Sequence, residues 1–384
     1  MHVFWTALFG LIALFWVIQT TEIALGVMSM PRLEDAEPLA PEKCPSVSIL
    51  VTARNEAKKL PQAIETFLAL DYPDYEVVAV DDRSEDGTRE ILEAAAKKNS
   101  RLKAIRVDAL PEDWLGKPHG LQTAYENSRG EWLVFTDGDV SFAPDVVRRA
   151  LALAMQKGWD HLTLLGRAEM YGFFEKIAMT FFGFGFALGT KPWRAHDPRS
   201  SGYIGVGAFQ LIRRSSYEKM GTHRRLRMEV IDDMKLGKVM KESGARSGAA
   251  KAGDAVSVHW HDGVRNMVRG TTKNFFASSG FRLWLTTLRA SGLLVTSVLP
   301  FVALPFLHGW ALAFDVVAAA LPALVHAGAA MEFGESPLWG LSHPIGALIF
   351  VWMLTRSTVI TLWQGGIVWR GTFYPLDELK RGVV

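Results

Sequence analysis

From residue 46 onward, short apolar runs alternate with longer amphipathic ones, and this alternation restricts the fold more than any other feature of the chain. Residues 47–51, 75–80, 102–107 and 132–135 read as strands, with helices expected over 58–70, 88–99 and 120–128 between them. A further helix over 144–157 and a strand over 160–165 extend the pattern. Strand and helix in turn imply an α/β domain with a mostly parallel sheet covered on both faces. Such sheets bind ligands beyond the carboxyl ends of their strands.

The polar clusters fall at those ends. Thr52-Ala53-Arg54-Asn55-Glu56 follows the first strand, and Asp81-Asp82-Arg83-Ser84-Glu85-Asp86-Gly87-Thr88 follows the second. Thr136-Asp137-Gly138-Asp139 follows the apolar run Trp132-Leu133-Val134-Phe135. Two carboxylates one residue apart at a strand end can share a divalent cation such as Mg²⁺ or Mn²⁺, and such a cation can grip a diphosphate. Any one cluster is equally a turn with a helix N-cap, because Asp, Ser and Thr satisfy free backbone N–H groups there. Three at successive strand ends are harder to read as caps. Gly116 and Lys117, ahead of the helix expected from residue 120, offer a cation and free N–H groups to a phosphate. A fourth acidic cluster is Met228-Glu229-Val230-Ile231-Asp232-Asp233-Met234-Lys235-Leu236-Gly237. There a carboxylate within hydrogen-bond reach of an acceptor hydroxyl could serve as a general base.

The run 47–56, then Val80-Asp81-Asp82-Arg83-Ser84-Glu85-Asp86-Gly87-Thr88, then Phe135-Thr136-Asp137-Gly138-Asp139, resembles the family 2 glycosyltransferases of the GT-A fold, with the likeness covering roughly 45–280. The resemblance implies a Rossmann-like nucleotide-diphospho-sugar transferase domain, a nucleotide-diphosphate sugar as donor, inversion at the anomeric carbon and a divalent metal. It also implies roles for particular residues. Asp82, in the cluster opened by Asp81, would contact the base; Ala53 and Glu56, flanking Arg54, would line the nucleoside pocket. Asp137 would lie near the ribose, Asp139 would bind the metal, and Lys117 would lie near the donor. Asp232-Asp233-Met234-Lys235-Leu236-Gly237 matches the family's base motif with Asp233 as the base, Asp232 standing where Glu is commoner. The stretch Gly202-Tyr203-Ile204-Gly205-Val206-Gly207-Ala208-Phe209-Gln210 resembles the Gly-rich strand and loop on the acceptor side. Of the Gln-x-x-Arg-Trp motif of processive members, Asn266-Met267-Val268-Arg269-Gly270 keeps only the Arg, which argues against a polysaccharide synthase. Arg265, Arg269 and Lys273 could still neutralise a leaving diphosphate. His259 and His261, two apart on a strand, would face one side and could reach a metal or a phosphate.

Hydrophobic residues make up 49% of the chain, beyond an ordinary soluble domain. Residues 3–27 are almost continuously apolar with Glu22 as the only charge, long enough to cross a bilayer. Without a basic leader or an Ala-x-Ala-like site, this run reads as a retained anchor. The Pro-rich residues 31–45 read as a linker, and 173–188, dense in Phe, as a helix lying in the membrane interface. Basic residues dominate 191–227, which suits anionic headgroups or a phosphorylated acceptor. Three apolar blocks follow at 292–307, 310–331 and 343–363. Three full crossings would carry Arg370, Lys380 and Arg381 outside, against the positive-inside rule, so either one block is re-entrant or interfacial or the tail is external. Trp369-Arg370-Gly371-Thr372-Phe373-Tyr374 resembles a terminal motif of lipid-directed members of the family, which would sit at the cytoplasmic surface, and that resemblance implies that one block does not cross. The expected divisions are an anchor at 1–30, a linker at 31–45, the catalytic domain at 46–283, membrane helices at 284–369 and a tail at 370–384.

A net charge of +2 offers no basis for binding nucleic acid, and the lone Cys44 excludes an internal disulfide. The sequence therefore reads as an integral membrane protein of a bacterial inner membrane with a cytoplasmic catalytic domain. Its expected activity is transfer of a sugar to a hydroxyl of a membrane lipid or lipid-linked acceptor. A polyprenyl-phosphate sugar synthase and an inactive membrane scaffold are the alternatives.

Overall fold

The computed structural model describes residues 2–261 and 263–384, which form two compact units. One unit comprises Met30–Ala168, Pro192–Trp260 and Arg370–Val384; the other comprises Met1–Ser29, Glu169–Lys191 and His261–Trp369.

The first unit is built on an eight-stranded sheet. Its strands are β1 (Val47–Ala53), β2 (Tyr75–Asp82), β3 (Leu102–Val107), β4 (Trp132–Asp137), β5 (Val140–Phe142), β6 (His161–Ala168), β7 (Gln210–Arg213) and β8 (Ser247–Val258). Their spatial order is β3-β2-β1-β4-β7-β6-β8-β5. The half β3-β2-β1-β4 is parallel, as the alternation of strand and helix predicts. Beyond β4 the sheet is mixed: β7 runs antiparallel to β4 and β6, and β5 runs antiparallel to β8. Every residue of β1 is buried, as a central strand covered on both faces must be. Two apolar clusters cover the sheet, one around Ile49, Phe67 and Leu151, the other around Leu50, Tyr217 and Val239. Each fully buried aliphatic or aromatic side chain there contributes roughly 1.5–3 kcal/mol.

The register at the carboxyl ends matters for function. Thr52 pairs with Asp137, and Ala53 pairs with Asp81. The helix expected from residue 120 begins earlier, at Gly116–Glu126. Pro118 lies in its first turn, where a missing N–H costs nothing, so Lys117 is part of the helix and does not precede it. Residues 202–209 form no strand; only Gln210–Arg213 pairs. Strand β8 ends at Val258, so His259 and His261 do not share a strand, and the carbonyl of His259 accepts a hydrogen bond from Lys59 Nζ at 2.5 Å.

In the second unit, among the described residues, four helices are long and apolar enough to cross a membrane: His2–Ser29, Leu283–Phe306, Gly309–Glu332 and Pro337–Gln364. Their charges have local answers. Glu22 pairs with Lys191 Nζ at 2.6 Å, and Arg356 bonds to the Thr272 hydroxyl. Pro300 interrupts the second helix less than its chemistry suggests. A π-turn at Leu294–Val298 widens the backbone just before it, and the carbonyl of Thr296, four residues back, accepts the indole N–H of Trp16 at 2.8 Å. The helix Phe173–Thr190 packs within this same unit: the ring of Phe181 lies 5.3 Å from that of Phe350, and Lys176 pairs with Glu335 at 2.9 Å.

Candidate active site

Four loops meet beyond the carboxyl ends of β1, β2 and β4. The loop after β1 is tied to the loop after β2 through backbone donors: Asn55 N–H to Ser84 Oγ at 3.0 Å, Glu56 N–H to Thr88 Oγ1 at 2.8 Å, and Ala57 N–H to Asp86 Oδ2 at 3.1 Å. The second cluster therefore ties one loop to the other. Asp86 and Thr88 fasten the loops, and Asp82 is left to another task. Asp82 is buried and held in a two-point pair with Arg83, at 2.8 and 3.2 Å. Gly116, opening the next helix, sits so close that a Cβ there would lie 2.3 Å from Asp82 Oδ2.

The third cluster is strongly charged. Lys117 Nζ lies 2.7 Å from Asp137 Oδ1 and 3.7 Å from Asp232 Oδ2, with its side chain 13% exposed. Burial works against its charge, but Asp137, Asp232 and Asp233 outweigh burial and hold the ammonium well above the usual lysine range. Asp139 is pushed up to about 7 by burial and by the charges of Asp137 and Glu56, with Lys59 Nζ 3.9 Å from Oδ2 acting against them. Burial likewise raises Glu56, against the pull of Arg370.

This donor set suits a hard divalent cation. Its atoms are carboxylate oxygens, and the repulsion that raises Asp139 is what a bound dication would relieve. Among the described residues no three or more His, Cys, Asp or Glu side chains form a closed metal site. Asp137 and Asp139 would therefore supply one or two ligands and leave the other positions to diphosphate and water, as Mg²⁺ prefers.

Asp233 is brought to the same place from nearly a hundred residues away. It lies in the first turn of the helix Asp232–Glu242. Its Oδ2 accepts the Gly207 N–H at 3.0 Å, and its Oδ1 accepts the Met234 N–H at 2.7 Å. A Cβ on Gly207 would lie 2.3 Å from Asp137 Oδ2 and 3.3 Å from Asp233 Oδ2, so these two carboxylates close on one glycine. The glycines of this loop form a seam against the helix: a Cβ on Gly205 would lie 1.9 Å from the carbonyl oxygen of Asp233, and one on Gly237 would lie 1.8 Å from that of Ile204. Gln210 adds a bond from Nε2 to the Asp233 carbonyl at 3.3 Å.

Ala53, Arg54, Glu56, Asp81, Asp82, Lys117, Asp137, Asp139, Asp232 and Asp233 thus all lie in the unit that carries the sheet. Arg265 and Arg269 lie in the other unit, exposed on the helix Val264–Gly270. Lys273 there is directed at the ring of Trp369, 4.0 Å from its centroid. The basic stretch 191–227 is less free than its composition implies. Arg213 pairs with Asp160, Arg224 with Glu126 and Arg225 with Glu242, and Arg214 binds the Gly130 carbonyl. Two contributors have no site role in the sequence reading: Lys59, and Arg370 in the last segment, whose Nη2 lies 3.2 Å from Glu56 Oε1.

Residues 48–221 match the family model "Glycosyl transferase family 2". The 4,4'-diaponeurosporenoate glycosyltransferase of Staphylococcus haemolyticus is 22% identical over 236 residues, 61% of this chain and 62% of that protein. The beta-monoglucosyldiacylglycerol synthase of Trichormus variabilis is 34% identical over 133 residues, 34% of this chain and 28% of that protein. An undecaprenyl-phosphate 4-deoxy-4-formamido-L-arabinose transferase of Aeromonas hydrophila is 29% identical over 136 residues, 34% of this chain and 40% of that protein. The chain thus spans less than two thirds of the length of these curated relatives. Among solved structures, a mannosyltransferase of Pyrobaculum calidifontis, in complex with GDP-Man and Mn²⁺, superposes with a TM-score of 0.53 at 20% identity, over 93% of this chain and 99% of that one. The family match covers the strands that carry the acidic clusters, and the superposition shows a shared GT-A fold, so across residues 48–221 this chain is similar to glycosyl transferase family 2.

Proposed function

We propose that the protein transfers a sugar from a nucleotide-diphosphate donor to a hydroxyl of a membrane lipid, with inversion, and that Asp233 is the general base. The observation that carries this reading is the convergence of Asp137 and Asp233 on Gly207. It brings a diphosphate-side carboxylate and a candidate base to within one loop of each other, as a direct displacement requires. Both oxygens of Asp233 accept backbone N–H groups, which orients the carboxylate to take the acceptor proton as the hydroxyl attacks the anomeric carbon. Asp137 and Asp139 would hold a divalent cation, which would neutralise the charge gathering on the departing diphosphate. Lys117 keeps Asp137 and Asp232 together in the meantime. Asp82, paired to Arg83 at the end of β2, is the residue for the base of the nucleotide, and Ala53, Arg54, Glu56 and Asp81 form the wall beside it.

Membrane attachment follows from the chain path. Trp260 and Arg370 belong to one unit, so the segment between them must cross an even number of times, although it contains three helices of spanning length. Leu283–Phe306, with its π-turn, Pro300 and Pro305, is the helix we assign as re-entrant. The same reasoning keeps Phe173–Thr190 in the interface, since Ala168 and Pro192 on either side belong to one unit. A donor made in the cytoplasm then sets the sheet-bearing unit on the cytoplasmic side.

The test is to incubate the purified full chain in lipid extract with a panel of labelled nucleotide sugars and to identify labelled lipid by mass spectrometry. Labelled lipid is expected with one donor, and Asp233→Asn should lower turnover by about 10²-fold or more if the acceptor is a hydroxyl. Full turnover in that variant points instead to a phosphate acceptor, in line with the undecaprenyl-phosphate transferase relative. No labelled lipid with any donor overturns the proposal.

A further inference from the structure

The segment Arg370–Val384 is part of the unit that carries the sheet, and its first residue reaches the candidate donor site. Arg370 gives one edge of its guanidinium to Glu56, with Nη2 at 3.2 Å from Oε1. Its Nη1 is buried and has no hydrogen-bond partner among the described residues. Arg54 is in a similar state at Nε, and its Nη2 lies 3.8 Å from where a Cβ on Gly371 would stand. Two guanidinium groups, from opposite ends of the chain, therefore sit together where β1 ends, each with a buried donor that the protein does not use. A buried guanidinium N–H without an acceptor is costly, and the acceptor that fits the fork is a phosphate oxygen.

The segment is held in place along its length. Tyr374 lies beside Arg83, the partner of Asp82. Val384 N–H donates to Glu229 Oε2 at 3.2 Å, and Lys235, on the helix that carries Asp233, bonds to the Val384 carbonyl. Arg370 itself has a φ of 50°, a conformation that a non-glycine residue adopts only under constraint from its surroundings.

We propose that Arg370, together with Arg54, binds the diphosphate of the nucleotide donor, so that the C-terminal segment forms a wall of the donor site. This rests on the donor reading above. Glu56 then acts as the positioning residue that aims the Arg370 fork.

The test uses the full chain in detergent and calorimetric binding of UDP and GDP, and of UMP and GMP, with Mn²⁺ present. Arg370→Met should weaken the diphosphate that wild type binds by about tenfold or more, while the matching monophosphate is bound as in wild type. Arg370→Lys should fall between them, since it keeps the charge and loses the fork. The monophosphate arm also reports folding, because a misfolded variant loses both ligands, and Arg370→Lys then carries the comparison. Equal diphosphate affinity in wild type and Arg370→Met overturns the assignment and leaves the donor reading standing. Wild-type protein that binds neither diphosphate undoes the donor reading, and the Arg370 assignment with it.

Discussion

The glycine seam between the 202–207 loop and the Asp233 helix carries a quantitative consequence. In Gly205→Ala the new Cβ would start 1.9 Å from the carbonyl oxygen of Asp233 and 2.8 Å from Gln210 Oε1, whereas ordinary contact begins at 3.4 Å. The first obstacle is backbone, so a rotamer change cannot relieve it; loop and helix must part by about 1.5 Å. That opening stretches the 3.0 Å bond from Gly207 N–H to Asp233 Oδ2 beyond hydrogen-bond range. A reacting group misplaced by about 1 Å can lose about 10²-fold in rate, roughly 2.7 kcal/mol of transition-state stabilisation. The expected result is therefore a fall of about 10²-fold in kcat, with the donor KM within about threefold of wild type, because the residues at the ends of β1 and β2 are untouched. The assay is transfer of labelled sugar to lipid by the full chain in detergent, with thermal melting as the folding check. Gly189→Ala, which meets nothing within 4 Å, is the neutral control. Gly207→Ala should be milder than Gly205→Ala, because the atom it meets at 2.3 Å is the Asp137 carboxylate, which can swing away. A Gly205→Ala protein that turns over at the wild-type rate, or that loses donor affinity in step with kcat, refutes the reasoning.

Two other perturbations probe the same unit. Lys117→Met removes the cation between Asp137 and Asp232 and leaves both carboxylates without it in a site 13% exposed at the lysine; the loss should be about 3–5 kcal/mol, partly restored by Mn²⁺. An unchanged melting temperature in metal-free buffer would sink this account. Burial holds His161 down to about 4 and His223 down to about 3, below an unfolded value of 6.5. Each stays neutral in the fold and takes a proton only on unfolding. Their contribution is therefore whole above pH 6.5 and is lost as pH falls towards 4, by about 3 kcal/mol for His161. Melting temperatures between pH 7 and 4.5 should show this slope, and His161→Gln should flatten it; an identical slope in the variant counts against the assignment.

How much of this was legible before the structure depends on the range over which each signal acts. The strands β1, β2, β3 and β4 announce themselves because each is an apolar run closed by polar residues, and the acidic clusters at their ends follow from the same local pattern. Of the mixed half, β6 is legible in the same way, expected over 160–165 and found at His161–Ala168, but β7 and β8 are not. β7 is only four residues long, and β8 opens on Ser247-Gly248-Ala249-Ala250, small residues with little strand preference that pair because β6 lies beside them. Pro118 and Gly116 read as a loop, although a first helical turn accepts both. Pro300 reads as a break, yet the acceptor it frees at Thr296 is satisfied by Trp16, 280 residues away.

The site divides along the same line. The resemblance to a known family points to Asp82, Asp137, Asp139 and Asp233 one motif at a time, because each motif is contiguous. Their convergence is a property of Gly205, Gly207 and Gly237, whose only sequence signature is the absence of a side chain. Arg370 is the extreme case. It lies 314 residues from Glu56, and no spacing rule relates them. The pairing exists because the chain leaves the sheet-bearing unit at Trp260 and returns to it at Arg370. The helices between them therefore bear on the candidate site: by bringing residue 370 back to the unit that residue 260 left, the chain puts Arg370 beside Glu56.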